Sequence, residues 1–263
     1  MTTTTLPATP DRRAAAEPAA PSLATLTRVE LRKSYDTRAG FWLLVVIGLA
    51  SLAVVLLQLF FDDGPNRTFA GYFATTQLPV GVLLPVLGIL LVTSEWSQRT
   101  AMTTFTLVPV RSRVLTAKVL AASVLAVLGV AAASVAAALG TLLTPLFTEN
   151  AADWSLSAAQ VGQVVIVQVI TVLVGVAFGM LLLSSPLAIV LYFVLPTVVT
   201  ILVNAVGALD WVRDWLDLTS TTVPMYEGAL DGQGWLQVGT SVALWGALPM
   251  VAGWLRIERS EIG

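Results

Sequence analysis

Six stretches of this chain, at 40–61, 73–93, 114–143, 161–183, 186–206 and 236–255, run apolar for twenty residues or more with almost no charge between them. About twenty apolar residues in a helix cross the ~30 Å hydrocarbon core of a bilayer. One such run could be the central helix of a soluble domain. Six could not, because a chain of 263 residues has no interior large enough to hide them. Only 11% of the residues are charged, where soluble domains carry roughly 25%. The sequence therefore predicts an all-α polytopic membrane protein with six transmembrane helices. Pro79 and Pro85 in the second span and Pro196 in the fifth are the expected points of kinking.

The flanks set the orientation. Residues 1–21, rich in Thr, Ala and Pro, read as a disordered cytoplasmic tail without the apolar core of a signal peptide. Within 22–39, Leu23, Leu26 and Val29 share one side, Leu31 and Tyr35 follow four apart, and Arg28, Arg32, Lys33 and Arg38 are interleaved. This spacing predicts a basic amphipathic helix on the membrane surface, or else a charged flank that stops the first span from sliding. With the N-terminus inside, twelve of the fourteen Lys and Arg are cytoplasmic, leaving only Arg67 and Arg213 outside. The outer loops would hold Asp62, Asp63, Glu149, Asp153, Asp210, Asp214, Asp217, Glu227 and Asp231. Positive residues favour the cytoplasmic side, so both termini are expected there, the C-terminus as a short segment at 257–263.

Between the second and third spans lies SEWSQRTAMTTFTLVPVRSRVLTAK, residues 94–118, with four basic residues and a ladder of Ser and Thr. Ala101, Met102, Phe105 and Val108 recur at helical spacing, and Pro109 stops the run. The expectation is a short amphipathic helix just below the membrane, suited to headgroups or to a groove on a cytoplasmic partner.

Taken together, six spans, a basic helix before the first, and Ser94-Glu95-Trp96, Arg99-Thr100, Leu107, Pro109, Arg111, Arg113 and Ala117-Lys118 resemble the ABC-2 type permeases. Many of that family have Gly where this chain has Ala101, a departure expected to stiffen the loop. The resemblance implies the membrane subunit of a bacterial exporter in the plasma membrane. It also implies a separate ATP-binding subunit that carries ATP and Mg, and a second permease subunit, identical or related. The loop helix would then be the coupling helix that docks on the ATPase. Its candidate residues are Glu95, Arg99, Thr100, Met102, Phe105, Leu107, Pro109, Arg111 and Arg113. Arg111 and Arg113 would meet acids on the partner or lipid phosphates, and Glu95 would pair with a nearby Arg.

Other chemistry is excluded by composition. There is no Cys and no His, which removes thiolate chemistry and the commonest base and metal ligand. Neither Lys33 nor Lys118 closes a phosphate-binding loop, so no ATPase motif, catalytic residue, metal site or cofactor is assigned to this chain. Buried polar residues are the pointers to a substrate path, here Gln77, Gln163, Gln168 and Asn204, with Gln58 near the end of the first span. Interhelical hydrogen bonding is the plainer use of each. A face of Gly129, Ala133, Ala137 and Thr141 predicts close packing of the third span. Trp211, Trp215, Tyr226 and Trp235 amid acids predict a short helix at the outer interface, a region that in the resembled family often dips back as a lid. Uncharged spans suit an amphipathic or lipid-like substrate. A membrane enzyme and a non-transporting scaffold or sensor are the alternatives; Asp210, Asp214 and Asp217 come closest to a catalytic cluster but read as an acidic outward stripe.

Overall fold

The computed structural model describes residues 21–62, 66–108 and 110–259. The tail up to residue 20, Asp63, Pro109 and the last four residues lie outside that description, as does the side chain of Phe105. Among the described residues there are helices and connecting segments but no strands. Helix α1 spans Leu23–Asp36, α2 Arg38–Phe61, α3 Phe69–Ser97, α4 Ala101–Leu107 and α5 Arg111–Phe147. Then follow α6 Ala158–Leu182, α7 Ser185–Ala205, α8 Asp210–Leu216, α9 Leu218–Thr222, α10 Gly232–Val242 and α11 Leu248–Arg259. A π-helical turn at Ala243–Ala247 joins α10 to α11, so the two form one helix of 28 residues. With α2, α3, α5, α6 and α7 it makes six helices long and apolar enough to cross a membrane.

Local sequence chemistry starts these helices. Ser22, Thr37, Thr68, Ser157 and Asp231 each accept a hydrogen bond from the backbone N–H three residues on, the N-cap arrangement their short polar side chains favour. Helix α3 continues through Pro79 and Pro85 rather than breaking there.

The bundle is organised around α3. Ser51 and Gln58 join α2 to it in antiparallel register, Gln58 Oε1 accepting from Thr75 at 2.6 Å. Tyr72 and Thr144 share a hydrogen bond of 3.1 Å that fastens α5. Helix α6 runs parallel to α3, and the two backbones nearly touch. A Cβ on Gly175 would stand 2.5 Å from the carbonyl oxygen of Pro85, so only glycine permits this approach. Gly253 lets α11 close on Met180 and Leu181 of α6 in the same way. Of the small-residue face on α5, Ala133, Ala137 and Thr141 are buried, and so are Ala136 and Gly140. The bundle's outer surface is apolar, with Leu49, Leu57, Val135, Leu142 and Ile201 turned outward. That belt identifies a multi-pass membrane protein, since each such side chain would lose its solvation benefit in water.

The two ends differ in charge. Among the described residues, every Lys and Arg other than Arg67 and Arg213 lies toward the end that carries α1, α4 and the C-terminus of α11. The opposite end carries α8, α9 and most of the acids.

Candidate functional site

The charged end is built from four pieces: α1, the last turns of α3, the short α4, and the first turns of α5. Helix α3 stops at a left-handed residue. Arg99 adopts φ 57°, its N–H reaches the Trp96 carbonyl at 3.2 Å, and the Thr100 N–H reaches that of Glu95 at 2.9 Å. These paired bonds finish a helix in the way that normally uses glycine. Arginine there carries a steric cost of roughly 1–2 kcal/mol. The reversal turns the chain into α4, a helix of 7 residues tied by short segments to α3 and α5. Met102 and Leu107 are exposed on it.

Four charges close the space beneath α4. Lys118 Nζ lies 2.7 Å from Glu30 Oε2 and 3.2 Å from Glu95 Oε1, and donates to the Leu91 carbonyl at 2.8 Å. Three ammonium protons thus meet three acceptors. Lys33 Nζ bridges the same carboxylates from the other side, 2.7 Å from Glu30 Oε1 and 2.7 Å from Glu95 Oε1. The result is an electrically neutral ring of the chain's only two lysines and two glutamates, drawn from α1, α3 and α5. Lys118, Glu30 and Glu95 are buried; Lys33 is half-exposed. Burial works against the charged form of Lys33, but Glu30 and Glu95 outweigh it and hold its pKa above the ordinary lysine value.

This corrects one expectation. Glu95 pairs with two lysines, not with an arginine. Helix α1 forms at Leu23–Asp36; its buried residues are Glu30 and Ser34, while Val29 and Tyr35 face outward. Arg111 and Arg113 bind this chain's own backbone. Arg111 reaches the Ile257 carbonyl at 2.7 Å and Arg113 that of Pro21 at 2.6 Å, so the start of α5 grips the C-terminal helix and the approach to α1. Thr100 folds its hydroxyl back toward the Glu95 carbonyl. A groove of about 630 Å³ opens between α1, α3, α4 and α5, walled by Leu87, Leu91, Leu107 and Val114 with Lys33, Glu30 and Glu95 at one side.

The other candidate residues lie apart from this end. Gln77 and Gln168 are fully buried where α3 meets α6. Gln163 holds the Leu230 N–H at 3.2 Å. Asn204 is exposed on α7 and donates to the Thr200 carbonyl one turn back, so it faces away from the other three. Trp211 is exposed on α8, Trp215 is half-buried, and Trp235 is exposed at the start of α10. Tyr226 turns inward instead and packs with buried Met225 and Val167. Asp217 is fully buried, accepting from Thr200 at 2.8 Å and from the Ser220 N–H at 3.1 Å, which removes it from the outward stripe. Among the described residues, no group of three or more His, Cys, Asp or Glu is placed to hold a metal ion.

Glu30, Lys33 and Lys118 escaped the sequence reading as site residues. The signal was there: Glu30 is the only acid between Ser22 and Tyr35, and Lys118 is the only charge within the six apolar runs. An ionisable group in a span demands a partner. Comparison with protein-family models finds no match, and comparison with curated proteins finds none either.

Proposed function

We propose that this chain is the membrane-spanning subunit of an ABC-2 type exporter of the bacterial plasma membrane. In this reading it forms the substrate pathway and is driven by ATP hydrolysis, with Mg, on a separate ATP-binding subunit. A second permease subunit, identical or related, completes the pathway. The observation that carries the reading is the placement of α4, a short helix standing off the charged end between two spanning helices whose ends are locked together by buried charge. A push on α4 reaches α3 through the Arg99 turn and α5 through a three-residue segment, and the charge ring forces α1 to follow. Positive residues at that end favour a cytoplasmic location for it, with both termini inside. The same placement supports α4 as the coupling helix, with exposed Met102 as an anchor and Phe105 as the second one expected from the sequence.

The test is photo-crosslinking from positions 102 and 105 in native membranes, with mass spectrometry of the captured chain. A captured partner that carries a phosphate-binding loop is the expected result. Capture of lipid alone, or of this chain alone, would overturn the reading. Nucleotide-dependent movement of substrate would separate a transporter from a scaffold built on the same contact.

A further inference from the structure

The glutamines of α6 divide into two kinds. Gln160 and Gln163 hold the connection after α9: Gln160 Nε2 donates to the Tyr226 carbonyl at 3.0 Å, and Gln163 Oε1 accepts from the Leu230 N–H. Gln168 lies deeper and donates Nε2 to the backbone carbonyl of Gln77 on α3 at 3.1 Å. Among the described residues, Oε1 of Gln168 and both polar atoms of the Gln77 side chain have no hydrogen-bond partner, although both residues are 0% exposed. Amide orientation does not relieve this. Exchanging oxygen and nitrogen on Gln77 leaves both without partners, and exchanging them on Gln168 sets an oxygen against the Gln77 carbonyl.

Further polar groups lie close by. Pro85 has no N–H, so the Gly81 carbonyl one turn earlier lacks its helical donor. Gly81 follows Gln77 by one turn on the same face of α3. Gly81 has no side chain, and a Cβ there would stand 3.3 Å from Tyr226 Oη and 3.5 Å from both polar atoms of the Gln168 amide. The Gln168 amide, the Tyr226 hydroxyl and the backbone of Gly81 therefore lie together where α3, α6 and the segment after α9 meet.

We propose that this node between α3 and α6 is a site for ordered water within the membrane-spanning bundle. Water matches its chemistry. Gln77 Oε1 and Gln168 Oε1 need donors, whereas Gln77 Nε2 and the Tyr226 hydroxyl can donate. A water molecule both gives and accepts, and buried waters make about three bonds to groups otherwise unpaired. Bound water supplies α3 with bonds around Pro85 that can be exchanged without breaking contacts between side chains, a property that a dry interface lacks.

Hydroxyl-radical footprinting of the full chain in lipid nanodiscs, with a switch into oxygen-18 water, reads this directly, because radicals form where water is held. Tyr226 is the reporter and Trp211, 61% exposed, is the bulk-solvent control. The expected result is modification of Tyr226 whose label exchanges more slowly than that of Trp211. The combined Gln77→Leu and Gln168→Met substitutions should abolish it and leave Trp211 unchanged. No modification of Tyr226 in the native protein would overturn the site. Retention in the double variant would overturn it too, by showing that solvent enters past α8. Gly81→Ala, which puts a methyl group 3.3–3.5 Å from the Tyr226 hydroxyl and the Gln168 amide, serves if the double variant fails to fold. It should also lose the Tyr226 label and melt at a lower temperature, and an unchanged label would refute the proposal.

Discussion

Replacing Lys118 by methionine takes one positive charge from a neutral buried ring and leaves Glu30 and Glu95 sharing Lys33. Glu30 is 4% exposed and Glu95 7%, so neither carboxylate can turn to water in compensation. Removing one partner from a buried pair costs about 3–5 kcal/mol, mostly from the charge left behind. Lys33 remains beside both acids and is partly solvated, which places the loss near the lower figure, about 3 kcal/mol. At ~2–4 °C per kcal/mol for a chain of this size, the melting temperature should fall by roughly 6–12 °C. The chain's eight tryptophans report the melt in detergent through their own fluorescence. Glu30→Gln added to Lys118→Met restores charge balance, leaving Glu95 with Lys33, and should recover most of the loss. A Lys118→Met protein that melts within about 2 °C of the native one would show that the ring is not buried as described. A double variant as unstable as the single one would show that packing, not charge, is what Lys118 contributes.

Gly175→Ala should destabilise by about 1–3 kcal/mol, because its methyl group would sit 2.5 Å from the Pro85 carbonyl and force α3 from α6. Gly162→Ala, on the same helix with nothing within 4 Å, should be neutral in the same thermal melt. The raised pKa of Lys33 fixes the sign of its pH dependence: its stabilisation is full below the unfolded value of about 10.4 and is lost only as pH climbs through the higher folded value. A spin-label distance between α1 and α5 should therefore be constant from about pH 6 to 9 and lengthen only at strongly alkaline pH.

Much of the architecture was legible because the bilayer imposes a simple rule: length and apolarity mark a helix, and each of the six expected runs falls within or against a long helix. The proline at 109 and the change to polar text marked α4 equally well. What stayed hidden was pairing. The periodicity of Leu23, Leu26 and Val29 says nothing of Glu30 and Ser34, which α1 turns inward, where Lys33 and Lys118 offset the charge of that carboxylate. Nothing local in the sequence tells that Lys118 and Glu30, 88 residues apart, share a bond. Gln77, Gln163 and Gln168 were correctly singled out as buried, but spacing alone could not tell Gln163, which clasps a loop, from Gln168, which bonds to α3 at Gln77.

Helix α5 has 37 residues. At 1.5 Å per residue it is about 55 Å long, nearly twice the ~30 Å hydrocarbon thickness. A rod of that length is a lever. Tilting it by 1° about one end moves the other by about 1 Å, and a few degrees by the diameter of a methyl group. Its short arm is held by the charge ring, by α4 and by the Arg111 and Arg113 grips; its long arm ends beside Tyr72 and the far-end loops. Small angular changes at one face of the bilayer are thereby amplified into displacements at the other without bending any helix.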